Sequence, residues 1–247
     1  MKKLVGGLAA ATLIFTGSAF AGGHAHWGYT GDTGPSHWGD LDPAFKMCKE
    51  GKNQSPIDLK GFIEADLKPI SVSYATHPVE IVNNGHSIQV NVAPGGTLTI
   101  DGHTFELKQF HFHSPSENLI EGKSFPMEAH FVHADKDGNL AVIAVMIEEG
   151  KKNDLMEALW KYMPEKAGEK VALSGSTMNP EDLLPSDRDY YRFNGSLTTP
   201  PCSEGVWWIV LKKPVTVSKE QVEKFQHVMH HPNNRPVQPV NARPVLK

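Results

Sequence analysis

From about residue 79 to residue 149 the chain repeats one grammar six times: EIVNNG, HSIQVNV, TLTIDG, HTFELKQFHFH, MEAHFVHA and LAVIAVMIEE. Each run is rich in β-branched or aromatic residues, and Gly- and Asp-bearing turns separate them. Such runs read as strands, because alternating side chains fit a pleated, half-buried surface. Asp101-Gly102, between Ile100 and His103, is a two-residue hairpin signal, since a type I′ turn needs positive φ at both central positions. Lys136-Asp137-Gly138-Asn139 reads as a second, slightly longer hairpin connection. The pattern predicts a mainly β (α+β) chain built on a large, mostly antiparallel twisted sheet.

A few peripheral helices complete this picture. Asn153 can cap a run in which Leu155, Met156, Leu159, Trp160 and Met163 recur at helical spacing. Ser218 to Gln221 fits a capping box ahead of Val222, Phe225 and Met229. Both apolar stripes read as core-facing. Residues 22–58, rich in Gly, Pro, Asp and Trp, read as an irregular wrapped segment, and nothing divides residues 22–247 into more than one domain. A length of 247 residues is ample for one such domain with a substantial core.

Residues 1–21 differ in kind. Lys2 and Lys3 lead into an apolar run, and Ser18-Ala19-Phe20-Ala21 offers small residues at both positions of an A-x-A cleavage site, which reads as a secretory signal peptide cut after Ala21. The apolar run is shorter than the roughly 20 residues a spanning helix needs, so no stable membrane insertion is expected after cleavage. Export, most naturally to a periplasm, puts the only two cysteines, Cys48 and Cys202, in an oxidising compartment, where a lone pair usually forms a disulfide. A net charge of −4 and a charged fraction of 21% show no basic field for nucleic acid.

Within the fourth run, Gln109, His111 and His113 share one strand face and Phe110 and Phe112 the other. In the fifth, Glu128, His130 and Val132 share a face opposite Phe131 and His133. An H-x-H on an amphipathic strand is often only the solvent side of a sheet. If the two strands pair so that His130 faces His111 and His113, three neutral imidazoles converge, as in a three-histidine zinc site with an open fourth position. Gln109 and Glu128 each stand two residues from a proposed ligand, placed to hold the ring nitrogen that does not face the metal. His111, His113 and Glu117 also fit the H-x-H-x₃₋₄-E spacing of cupins, but there the further histidine comes later than His130 and the motif is framed by glycines.

Taken together, HWGY at 26–29, NQSPID at 53–58, NNGH at 83–86, QFHFH at 109–113, EAHFVH at 128–133, LAVIAV at 140–145, SLTTPPCSEGVWWIV at 196–210 and NNRPVQP at 233–239 resemble the α-class carbonic anhydrases, in particular their exported bacterial members. The resemblance implies the α-carbonic anhydrase fold and a zinc enzyme for reversible hydration of carbon dioxide to bicarbonate. His111, His113 and His130 match the zinc ligands, with water or hydroxide in the fourth position. Thr198 matches the threonine that accepts a hydrogen bond from the hydroxide and donates one to Glu117, orienting the hydroxide, so the resemblance gives Glu117 an orienting role and not ligation. Thr199 would help hold bicarbonate. Val132, Val142, Leu197 and Trp208 match the apolar wall beside the metal.

Regenerating hydroxide requires a proton to leave for buffer, which suits an imidazole whose ordinary pKa is about 6.5. His86 matches the proton-shuttle position, with Tyr29 and Asn84 supporting the water chain. The remaining histidines receive no catalytic role. Cys48 and Cys202 fall where exported relatives carry a disulfide, which would brace the Thr198 loop. Relatives that lost their zinc ligands serve as interaction domains, but such a surface does not require the whole set of residues retained here. The sequence does not fix an oligomeric state.

Overall fold

The computed structural model describes residues 25–247. The expected signal peptide lies outside the described residues. The strands are β1 (Asp58–Leu59), β2 (Ser71–Tyr74), β3 (Pro78–Asn83), β4 (Ile88–Val92), β5 (Gly96–Ile100), β6 (His103–His113), β7 (Leu119–Ile120), β8 (Met127–Ala134), β9 (Leu140–Glu149), β10 (Lys170–Ala172), β11 (Tyr190–Ser196), β12 (Glu204–Leu211) and β13 (Val215–Val217). The helices are α1 (Trp38–Leu41), α2 (Met47–Glu50), α3 (Asp154–Trp160) and α4 (Lys219–Met229).

Eleven strands form one sheet with the main order β10-β3-β4-β6-β8-β9-β12-β11. β5 pairs with β6 and β2, and β13 with β9. The pairings are antiparallel except for those of β12 and β13 with β9, which are parallel, so the sheet is mixed though mostly antiparallel as expected. The six strand segments become β3 to β6, β8 and β9. Asp101 and Gly102 take φ of 49° and 78° between the paired residues Ile100 and His103, as the hairpin chemistry requires. In the longer turn, the Asp135 carboxylate accepts the amides of Asp137 and Asn139, and Gly138 supplies a φ of 85°.

β2 and β10 to β13 extend the sheet beyond the segments that periodicity marks. β12, EGVWWIVL, is an interior strand between β9 and β11 with most of its residues buried, so it reads as a continuous apolar run without alternation. Residues 25–58 differ from the irregular segment expected, for they contain α1, α2 and two 3₁₀ turns, Gly31–Thr33 and Pro43–Phe45. Fully buried Trp38 pins this segment by donating its indole N–H to the carbonyls of Gly28 and Thr33.

The two sheet faces bury different things. On one, Phe110, Phe112, Phe131, Ile143 and Val145 pack with α3 and α4 through Leu155, Leu159, Trp160, Val222 and Phe225. His133 belongs to this side, where the Tyr74 hydroxyl lies 2.7 Å from its Nε2. Asn153 caps α3 by accepting the Met156 amide, and the Ser218/Gln221 capping box opens α4. Gln221 also exchanges two hydrogen bonds with the Asn153 backbone, which ties the starts of both helices together. On the other face a smaller cluster, including Ile57, Val142, Ala144, Phe193, Trp208 and Val210, leaves room for the histidines.

Candidate metal centre

The register of β6 with β8 sets His111 opposite His130 and His113 opposite Glu128. Directly opposed residues bring their Cβ atoms to about 5 Å, close enough for side chains to share a ligand. A bulge between Leu107 and Gln109 resets the alternation of β6. Leu107 and Phe110 can therefore both face the core, while Gln109, His111 and His113 share the site face.

One nitrogen each from His111, His113 and His130 lies within 4.8 Å of the others. The remaining nitrogens have acceptors: His111 Nδ1 is 2.9 Å from Gln109 Oε1, His113 Nδ1 2.7 Å from the Asn233 carbonyl, and His130 Nε2 2.9 Å from Glu128 Oε1. An acceptor opposite a ring nitrogen places the proton there, so His111 Nε2, His113 Nε2 and His130 Nδ1 carry lone pairs. His113 Nε2 is buried and has no hydrogen-bond partner among the described residues. Burial pushes the pKa values of His111 and His130 well below the ordinary imidazole range, reinforced by neighbouring histidines. His113 is also lowered by burial, against the opposing pull of the Asn233 carbonyl and Glu128. Neutral rings with converging lone pairs are what a transition-metal cation binds.

Two buried carboxylates flank the rings. Glu128 accepts the amides of Glu117 and Asn118 and the side-chain amide of Asn118 as well as facing His130. Glu117 Oε1 accepts the Arg235 amide at 2.8 Å, while Oε2 is buried without a hydrogen-bond partner, 3.5 Å from His113 Nε2. Burial pushes the Glu117 carboxyl up to about 8, opposed by the Arg235 amide and the nearby Thr198 hydroxyl. Arg235, itself buried, is locked by the Gln54 side chain and the carbonyls of Ser55 and Cys48.

The raised carboxyl has a consequence for the zinc-free protein. The folded state holds the Glu117 proton up to about pH 8, whereas the unfolded chain releases it near 4.5, so stability falls as pH rises between those values. The buried histidines work the other way, but only below about pH 6.5, where the unfolded chain takes up their protons. From about pH 6.5 to 8 the Glu117 contribution remains. Urea midpoints of zinc-free protein should fall over this window and fall less in Glu117→Gln; equal slopes for the two would refute the assignment.

Thr198 is buried and Thr199 half-buried in the loop joining β11 to β12. The loop is closed by the Leu197 amide donating to Ser203 O and the Cys202 amide donating to Thr199 O. Cys48 and Cys202 form the expected disulfide, tying α2 to this loop. Val132, Val142 and Trp208 lie side by side across β8, β9 and β12, and Leu197 packs on the same cluster. The Trp208 ring meets His130 edge-on, 4.9 Å between centroids. All four expected wall residues thus gather in one apolar cluster, which Trp208 brings against His130.

His86 lies flat against Trp27, centroids 3.6 Å apart. Burial, with the charges of His26 and His231 adding to it, lowers its pKa to about 4. Asn84 is exposed and spends its side-chain carbonyl on the amides of His86 and Ser87, so it builds the turn that presents His86. The Tyr29 hydroxyl is buried without a partner among the described residues, and burial, then Glu117, raises its pKa well above the ordinary value.

Sequence reasoning gave no role to Asn233, Asn118 or Arg235. Asn233 reaches back about 120 residues to His113 and Ser114, and Asn118 holds Glu128. Their motif-rich surroundings, NNRPVQP and SPSEN, were the available signal.

Three neutral imidazoles on adjacent strands, each oriented by an outer acceptor and with Trp208 edge-on to one of them, form a group that could hold a metal ion. A family model of eukaryotic-type carbonic anhydrases matches residues 33–247. A carbonic anhydrase of Pectobacterium carotovorum is 49% identical over 229 residues, 93% of each chain, and one of Neisseria gonorrhoeae is 48% identical over 248 residues, 100% of this chain and 97% of the relative. The solved α-carbonic anhydrase of Thermovibrio ammonificans, in complex with the inhibitor sulfanilamide, superposes with a TM-score of 0.89 at 56% identity, covering 91% of this chain and 100% of that one. The chain belongs to the α-carbonic anhydrase family and is an enzyme of that family, a carbonate dehydratase.

Proposed function

We propose that the protein hydrates carbon dioxide reversibly with a zinc ion held by His111 Nε2, His113 Nε2 and His130 Nδ1. The observation that carries this is the set of three converging lone pairs, each with its opposite nitrogen engaged. The buried, unpartnered His113 Nε2 fits a cation, since an unsatisfied polar atom in the interior otherwise costs about 1–3 kcal/mol. Carbonic anhydrase is itself the standard example of zinc lowering the pKa of water to about 7, which supplies a hydroxide nucleophile at neutral pH.

The chain's own residues would do the rest. Gln109, Asn233 and Glu128 hold the three rings in one tautomer and one orientation. Thr198 would donate a hydrogen bond to the open Oε2 of Glu117, leaving its oxygen free to accept one and so orient an oxygen nucleophile toward carbon dioxide. Thr199 borders the place where bicarbonate forms. Val132, Val142, Leu197 and Trp208 give an apolar substrate a surface that competes poorly for water.

His86 would carry protons out, with Tyr29 and Asn84 along the way. Its ring must leave the Trp27 face for water to recover an ordinary basicity. No helix among the described residues is long and apolar enough to cross a membrane, and the disulfide suits an oxidising compartment. The disulfide supports an exported, periplasmic enzyme.

Stopped-flow hydration on the mature protein from pH 6 to 9 tests the reading. Activity should rise through a midpoint near pH 7, vanish on chelation and return with zinc. A folded, zinc-loaded protein without hydration activity would overturn it. Sulfanilamide should inhibit at one equivalent per zinc.

A further inference from the structure

Around Trp27 the fold collects more imidazole than one shuttle needs. His86 stacks on Trp27, Trp27 meets Tyr29 edge-on at 5.7 Å between centroids, and Tyr29 faces His231 at 6.1 Å. His26, beside Trp27 in sequence, is exposed. The charges of His26 and His231 both reach His86 and disfavour its protonation. The three histidines therefore share one patch, on the side of the site where Tyr29 senses Glu117.

His231 is held there by backbone geometry. α4 ends at Met229, its C-cap His230 adopts a left-handed φ of 63°, and the chain turns toward Asn233, whose carbonyl holds His113. His231 Nδ1 lies 2.9 Å from the Pro232 carbonyl. A carbonyl only accepts, so the neutral ring carries its proton on Nδ1 and presents a lone pair at Nε2. The ring is half-exposed, open to water on one side and to the Tyr29 ring on the other.

We propose that His231 is a second proton-relay group of the hydration reaction, working beside His86 from its place against Tyr29. Nε2 takes one proton from the water leading out past Tyr29, giving the imidazolium, and returns one proton from Nε2 to a buffer base, so the ring ends as it began. The stacking of His86 gives the second group its purpose. While one imidazole is pinned and a poor base, another stands ready at the same mouth. The groups around His231 are Tyr29, which its ring faces, and His86, which its charge reaches, with His230 next in the chain and His227 against His230.

This rests on the carbon dioxide reading above, and the tests separate the two. Stopped-flow hydration would be measured for wild type, His231→Ala, His86→Ala and the double variant, in dilute and concentrated buffer. In dilute buffer His231→Ala should lower kcat several-fold and the double variant should fall roughly tenfold below either single one, with kcat/KM unchanged and free imidazole restoring kcat. In the zinc-free protein, an NMR titration of the His86 ring should move to higher pH in His231→Ala, because a like charge has been removed. An unchanged kcat in both backgrounds, a parallel fall in kcat/KM, or a loss that imidazole does not restore would overturn the relay. Absence of hydration in zinc-loaded wild type would instead overturn the reading beneath it.

Discussion

His130→Ala is expected to lose bound zinc and carbon dioxide hydration together. His130 is the only ligand proposed from β8, and its ring contacts both other ligand rings, at 5.4 Å from His111 and 4.6 Å from His113 between centroids. Without it two imidazoles on β6 remain, which is too few for a tetrahedral site with one open position. Loss of an outer partner such as Glu128 costs about 10–100-fold in metal affinity, and loss of the ligand itself should cost more. The fold should survive, because the Glu128 carboxylate keeps three hydrogen bonds, from the Glu117 and Asn118 amides and the Asn118 side chain. Metal content after dialysis, read beside near-ultraviolet circular dichroism and stopped-flow rates, checks this. Full zinc occupancy in a folded His130→Ala would remove His130 from the ligand set.

The histidine geometry was legible in sequence because it depends on two local regularities. Strand alternation put Gln109, His111 and His113 on one face, and a single antiparallel register brought His130 opposite His111. What alternation alone could not show is the bulge at Lys108, one inserted residue that lets Leu107 point to the core without turning His111 away from the site. The Asp101-Gly102 hairpin and both helix caps were legible for the same local reason, as each rests on residues no more than three apart.

Less legible were the parts held by distant partners. β12 lies between β9 and β11, and its apolar run carries no period to mark a strand. Asn233 and Arg235 act more than a hundred residues away, on His113 and Glu117, and no periodicity encodes such a contact. Arg235 looked like one more charged residue near the C-terminus, yet it is among the largest fully buried side chains. Its burial is tolerated because the guanidinium donates to Gln54, Ser55 and Cys48. The resemblance to a family pointed to the segment, and only the fold supplied the reason.

The second large effect is expected on opening the disulfide. Cys48 and Cys202 are 154 residues apart, and closing so long a loop restricts the unfolded chain by about 5 kcal/mol in the chain-entropy account, an upper figure because residual structure reduces it. At about 2–4 °C per kcal/mol for a domain of this size, Cys48→Ser with Cys202→Ser should lower Tm by several degrees, up to about 10–20 °C. The local effect is separate from the global one. Cys202 N–H holds Thr199 O, while Cys48 O holds the Arg235 guanidinium, whose own amide holds Glu117. The bridge thus joins the two supports of the Thr198–Glu117 pair. Released, the Thr198 loop should move more freely and kcat/KM should fall at temperatures where the protein is still fully folded, with zinc content unchanged because no ligand touches the bridge. Scanning calorimetry gives the first effect and hydration rates at 25 °C with metal analysis the second. A Tm within about 2 °C of wild type would show that the loop is closed by its packing alone, and unchanged kcat/KM would show that the hydrogen bonds hold Thr198 without the sulfur bridge.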